Sequence, residues 1–386
     1  MSDGARRAAP VRTSVPMSGT VVVDVPVAPP IEAVAQAAEA SVLDLDDRKR
    51  AVLRAVVTEY VTTGLPVGSA HVVEAAGLDV SAATVRSDMG ALEELGLVTQ
   101  PHTSAGRVPT DRGYRWFVDD LRNAPALDVR QREAIEELLG SARDVEDLLA
   151  RTTTVLSQLT RLVSLVISPA IATSRLRLVE LVTLGPLSAL LLLVADTGRV
   201  EKHTVEVPVG SVEGDLDRVR TMLAERLVGR RFSDVGPVLG TLADDVPSDL
   251  RPIVRAVADA AVDVREDRVH QVFVGGQSAL VDDVSLQREE LARLLQLLEE
   301  RETLARLIEE AVEGPEAGSP TVRIGEENPL ADLRPTSLVA QRYRLVSSGS
   351  LGVLGPTRMD YGSALSTVRA VSDQLQRTLD ALAEHG

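Results

Sequence analysis

The letters that read as strands fall into separated groups, and that separation constrains this chain more than any other feature. After Pro169, "LRLVELVTL", "SALLLLVAD" and "RVEKHTVEV" follow one another across Gly-Pro and Asp-Thr-Gly-Arg turns, a spacing that favours an antiparallel sheet. Helical patterns then occupy about 212–229 and 248–268, a short strand "QVFVGG" intervenes, and a Leu-rich helix covers about 285–312. Strand patterns resume near the C-terminus in "TVRIG" and a hairpin across "LVSSGSLGVLG", before a final helix over about 361–384. Sheet segments split by a helical stretch point to the α+β class, with one domain carrying an insertion. No repeat at solenoid spacing competes with that reading.

A chain of 386 residues exceeds what one compact core usually holds, so two or three domains are expected. Aromatic residues are only 2% of the chain, so Leu, Val and Ala must fill most of the interior; three aromatics stand together in "YRWF" at Tyr114, Trp116 and Phe117. With no cysteine, disulfides, thiolate metal sites and a Cys nucleophile are excluded, which fits the cytoplasm. The longest apolar run, "ALLLLVA", is too short to span a bilayer, and "VVVDVPVAPP" near the start is broken by Asp24 and prolines and makes no signal-peptide core. Residues 1–44, rich in Ala, Pro and Val without a period, read as a disordered extension.

Order is expected from about Leu45. In "LDDRKRAVLRAVVTEYVTTG" the apolar letters recur at helical spacing, Asp46 and Asp47 sit at the favourable start, and Gly64 ends the run. Ser69 reads as the cap of a short second helix that stops at Gly77. A third helix opens at Ser81, with Val85, Met89, Leu92 and Leu95 as its inward stripe and Ala83, Thr84, Arg86, Ser87 and Gly90 on the other side. After Gly96, "LVTQPHTSAGRVPT" reads as two short strands joined by a turn at Gly106, and Thr110 caps a fourth helix, "DRGYRWFVDDL". Three helices and a hairpin in this order describe a winged helix-turn-helix. Pro125 then marks the end of that domain, and residues 130–166 read as helical throughout.

In a helix-turn-helix the second helix of the motif lies in the major groove with its N-terminal residues at base edges, which selects Ser81, Ala83, Thr84, Arg86 and Ser87 for base readout. An arginine there can bond bidentately to guanine, worth roughly 1 to 3 kcal/mol of discrimination. Arg86 reads equally well, on these residues alone, as a solvated helix arginine. The turn tips the balance. His102, Thr103, Ser104, Gly106 and Arg107 combine polar groups, a glycine and a cation of the kinds that approach a sugar-phosphate backbone, and Arg112 and Arg115 supply further cations on the next helix. Charge pulls the other way: the chain carries −16 net, and residues 46–122 hold nine Arg or Lys against eleven Asp or Glu. DNA binding must therefore rest on placement rather than bulk attraction.

The stretch "SAATVRSDMGALEELGLVTQPHTSAGRVPTDRGYRWFVD" resembles, without gaps, the N-terminal signature of the heat-inducible transcription repressor HrcA family. "RIGEENP", "SLVAQRYRL" and "GSLGVLGPTRMDYGSALSTVRAV" are similar to its C-terminal block, and "VFVGGQSAL" matches more weakly between them. The resemblance implies a winged helix-turn-helix over 45–123, a GAF-like α/β-sandwich over 124–229 and 316–386, and a mainly helical dimerisation domain inserted at 230–315. It also implies a homodimer on an inverted-repeat operator of double-stranded DNA ahead of chaperone operons, with a GroEL-type chaperonin keeping it active until heat releases the operator. A dimer eases the charge problem, because two recognition helices about 34 to 36 Å apart read two half-sites together.

Other functions find less support in the residues. GAF-like domains elsewhere often hold small ligands, but Gly349, Gly352 and Gly355 lack the context of a dinucleotide loop and suit a hairpin and close backbone approach, and no cofactor is implied. Histidines at 71, 102, 203, 270 and 385 are scattered, and HExxH, Walker and GxSxG patterns are absent, so neither a metal site nor an enzyme is expected. The segment 286–308 carries too many apolar letters for a heptad seam and suits burial on a broad face; whether that face meets another subunit stays open.

Overall fold

The computed structural model describes residues 45–103, 105–121, 126–168, 174–196, 198–261, 271–281, 288–312, 318–344 and 348–385. The extension expected over 1–44, the boundary at Pro125 and the tip of the last hairpin lie outside them.

The N-terminal head begins with α1 (Asp47–Thr63). The Asp46 carboxylate accepts from the Lys49 amide at 2.8 Å and so satisfies an orphan donor of the first turn. Val52, Leu53, Val56 and Val57 are buried, and Gly64 ends the helix in the left-handed region at φ 70°. Helix α2 (Ser69–Ala75) is entered from Gly68; Ser69, expected as its cap, is a buried first-turn residue. Then follow α3 (Ala82–Glu94), the antiparallel strands β1 (Val98–Thr99) and β2 (Val108–Pro109), and α4 (Asp111–Asp120), capped by Thr110 as expected.

Behind the head stands a five-stranded antiparallel sheet. Helices α5 (Val129–Gly140) and α6 (Val145–Thr160) lead into its strand β3 (Val163–Ile167), where the sequence pattern suggested continued helix. Arg161 takes a left-handed φ of 56° and ends α6, and all five residues of β3 are buried. A strand buried on both faces is a continuous apolar run, which periodicity cannot separate from a buried helix. The sheet order is β7 (Val272–Gly275), β3, β10 (Ser348–Pro356), β9 (Thr336–Arg344), β8 (Thr321–Ile324). One face packs on α5, α6 and the long α13 (Tyr361–His385), through Ile135, Leu156, Val368 and Leu375. The other packs on α11 (Arg288–Glu299) and α12 (Arg301–Val312), through Leu294, Leu304 and Ile308; the short α10 (Ser278–Val281) precedes them. Gly349 makes room for the Tyr343 ring and Gly352 for the Val339 carbonyl, the close approach expected of these glycines.

Between β3 and β7 the chain leaves this sheet and builds a second unit over 174–261. It comprises a meander β4 (Leu176–Gly185), β5 (Ser188–Ala195), β6 (Val200–Glu206), then α7 (Glu213–Leu227), α8 (Val235–Asp245) and α9 (Arg251–Ala260). Its core of Val179, Leu191, Leu193, Val219, Leu223, Phe232 and Val254 is separate from those of the main sheet. Because β3 and β7 are direct neighbours, with Leu165 opposite Val274, the excursion is an insertion. Its limits differ from those expected. The meander placed in the sandwich belongs to the insertion, and the Leu-rich helices placed in the insertion cover the main sheet. Local alternation identifies a strand but not the strands it pairs with, which are fixed by contacts far apart in sequence.

Candidate nucleic-acid interface

Helix α3 starts at Ser81, whose hydroxyl accepts from the Thr84 amide at 3.2 Å and lies 3.0 Å from the Thr84 hydroxyl. Val85, Met89 and Leu92 turn inward, so Ala83, Arg86 and Ser87 are left exposed and Thr84 half-buried on the outer face, the division that the 3.6-residue period requires. Among the described residues Arg86 has no hydrogen-bond or ion-pair partner, so its guanidinium keeps its full donor set free. The fixity of the helix beneath it comes from a residue that sequence reasoning passed over. Asp88 is buried within the inward stripe and takes a bidentate pair from Arg48 on α1, at 2.7 and 3.1 Å. Its signal was legible: a carboxylate three residues from Val85 and one from Met89 falls inside an apolar stripe and demands a cation.

The hairpin is braced from within. The Gln100 side-chain amide donates to the carbonyls of Thr103 at 3.0 Å and Ala105 at 2.9 Å, and the Ala105 amide to His102 at 2.8 Å. His102 and Thr103 are exposed at the turn, and Ser104 lies outside the described residues. Gly106 serves close packing rather than the turn itself: a side chain there would overlap the backbone of Pro66 and Val67, with which the hairpin forms a third short pairing through Val67 and Arg107. Arg107, expected as a tip cation, folds back instead. Its guanidinium pairs with Glu93 of α3 at 2.8 Å and is only 18% exposed, so it ties hairpin to helix.

Arg112 is exposed, with its guanidinium beside Gly96 at the turn between α3 and the hairpin. Arg115 faces the opposite way and leaves the expected contact set. It donates to Glu327 Oε1 at 2.8 Å and to the Val322 carbonyl at 2.7 Å, with a second bond to Glu327 Oε2, and lies 3.5 Å from Asp119. Burial works most strongly against its charge, but the hydrogen bonds and negative charges of Glu327 and Asp119 together outweigh it and hold its pKa above the usual arginine value. Five acids of the head are held in such pairs: Asp46 with Lys49, Asp88 with Arg48, Asp120 with Arg54, Glu93 with Arg107 and Asp119 with Arg115. Arg86 and Arg112 are both exposed and left without a carboxylate partner among the described residues. Among the described residues no group of His, Asp and Glu is arranged to hold a metal, and no helix is long and apolar enough to cross a membrane.

Together these features define an α+β protein that carries a small head of helices and a hairpin on a sheet body with an inserted second unit. Residues 146–365, more than half of the chain, match the model of the HrcA protein C-terminal domain. A heat-inducible transcription repressor HrcA of Frankia casuarinae is 42% identical over 343 residues, covering 87% of this chain and 99% of its own. One of the same name from Acidothermus cellulolyticus is 43% identical over 341 residues, with the same coverage. A crystal structure of a hypothetical protein at 2.2 Å resolution superposes with a TM-score of 0.64 at 24% identity, over 88% of this chain and 99% of that one, which speaks to fold alone. The chain belongs to the HrcA family, a family of transcription repressors rather than enzymes.

Proposed function

We propose that this protein represses heat-shock chaperone operons by binding an inverted-repeat operator as a homodimer in the cytoplasm, where that DNA resides. The head is a winged helix-turn-helix: α3 enters the major groove, Arg86 with Ser81, Ala83, Thr84 and Ser87 meets base edges, and His102, Thr103, Ser104, Gly106 and Arg112 approach the backbone. The observation that carries the reading is Arg86, exposed and without a partner among the described residues, at the start of a helix whose neighbours are small and in which Asp88 and Glu93 are each paired with an arginine. Small side chains admit the helix to close range, and an arginine held by a braced helix forms a preorganised fork for guanine.

Dimerisation is assigned to the inserted unit. The outer face of its meander carries Leu178, Val182 and Val200, at 46, 43 and 44% exposure, beside the half-buried Leu190, Leu192 and Val194. A second copy using the same face in a two-fold contact would cover this patch and match the symmetry of an inverted repeat. The main sheet with its flanking helices is read as the GAF-like body, and a GroEL-type chaperonin as the partner that maintains the active form until heat diverts it. The test is an equilibrium titration of the purified protein against a chaperone-operon inverted repeat and a scrambled duplex, at fixed salt, with and without chaperonin. Preference for the repeat, raised by chaperonin, is expected. Equal weak binding to both duplexes by a folded dimer would overturn the repressor reading.

A further inference from the structure

The two stretches that stand out in the sequence, the head from Ser81 to Asp119 and the C-terminal "RIGEENP" with "MDYG", meet in space. Asp111 at the start of α4 accepts from the Glu326 amide at 3.1 Å, and Gly325, at φ 54°, leaves the room its carboxylate occupies. One turn on, the Tyr114 ring lies 5.6 Å from that of Tyr361, whose hydroxyl is held by Ser337 and the Thr357 carbonyl, each at 2.7 Å. Beside it, Arg115 makes its bidentate bond to Glu327. A separate contact sits at the end of α1, where Arg358 donates to the Val61 carbonyl at 3.4 Å.

The receiving surface is braced by hydrogen bonds of its own. Asn328 donates its side-chain amide to the carbonyls of Gly325, Leu333 and Thr336 at 3.1, 3.2 and 3.0 Å, and the Ile324 amide donates to Glu327 at 2.9 Å. On the other side, the Arg48 pair with Asp88 makes α1 and α3 one piece. Attachment at three separated points, two along α4 and one at the end of α1, fixes a rigid body in all rotations.

We infer that the socket around Glu327 sets the bearing of the recognition helix, so that a dimer reads its two half-sites at one separation only; Arg115 and Glu327 are positioning residues for operator binding. The inference rests on the DNA-binding reading above. A head on a free tether could reach half-sites at several separations and phases, whereas a head locked to the body cannot follow a half-site that is rotated to the far side of the duplex. Freeing it lowers the fraction of dimers in the competent arrangement and weakens the natural site by that fraction.

The test uses the full-length dimer, as wild type and as Glu327→Ala and the milder Glu327→Gln. Each is titrated against the chaperone-operon inverted repeat, the same repeat with its spacer lengthened by half a helical turn, about 5 bp, and a scrambled duplex, with melting curves and sedimentation to verify fold and dimer. Wild type should bind the natural spacing well and the half-turn insert little better than the scrambled duplex. The variants should bind the natural repeat roughly tenfold more weakly yet lose most of the spacing penalty, with scrambled binding unchanged. A folded, dimeric variant that keeps the wild-type spacing penalty overturns the inference while leaving the repressor reading intact. Wild type that ignores the repeat at every spacing sinks the repressor reading, and this inference with it.

Discussion

Single side chains of the head divide into those that face solvent and those that face the protein, and the division predicts different measurements. Arg112 faces out, so Arg112→Ala should lower the slope of log Kobs against log salt by about one; an unchanged slope removes it from the phosphate contacts. Arg107 is held by Glu93, so Arg107→Ala should leave that slope unchanged and cost up to about 1 kcal/mol of stability, given the pair's partial exposure. Burial against the body, together with the nearby Glu326 and Glu327, raises the Asp111 pKa, although the Glu326 amide opposes this. A carboxylate with a raised folded-state pKa destabilises when ionised and ceases to do so as pH falls below that value. Asp111→Asn, which keeps an acceptor for Glu326, should therefore melt higher than wild type near pH 7, and the difference should shrink as the pH is lowered below the raised pKa. A difference that grows on acidification would contradict the assigned sign. Ala83, Arg86 and Ser87 were legible because a helical period assigns faces directly. Arg115 was not, because its partner Glu327 is 212 residues away.

Elements tell the same story at longer range. The order of three helices, hairpin and capped fourth helix could be read from glycines, caps and stripes, since each of those signals is local. Strand β3 was hidden because a central strand presents the same unbroken apolar run as a buried helix, and the limits of the insertion were hidden because pairing between β3 and β7 spans more than a hundred residues. The hairpin's seating depends on the absence of a side chain at Gly106. Gly106→Ala should detach it from Val67, seen as accelerated hydrogen exchange at the Val67 and Arg107 amides, which now bond reciprocally at 2.9 Å. Unaltered protection there would show that the backbone shifts without loss.

At the scale of the whole molecule, the inserted unit has its own core and an outer face on which apolar side chains stand exposed, while the head is fastened to the main sheet. A charge on the outer face, as in Leu192→Glu, should dissociate the proposed dimer while leaving the monomer folded, as read by sedimentation and circular dichroism; a dimer that stays intact would place the interface elsewhere. In the proposed function these features serve the seating of one helix on DNA, with Arg86 as its readout. The most direct measurement is the affinity of wild type and Arg86→Ala for the inverted repeat and a scrambled duplex at one salt concentration, with melting curves to verify the fold. Loss of a bidentate guanine contact predicts a decrease of roughly 5- to 150-fold on the repeat per recognition helix, with little change on the scrambled duplex or in Tm. Wild-type affinity of Arg86→Ala for the repeat would contradict the assignment of α3 as the reading helix.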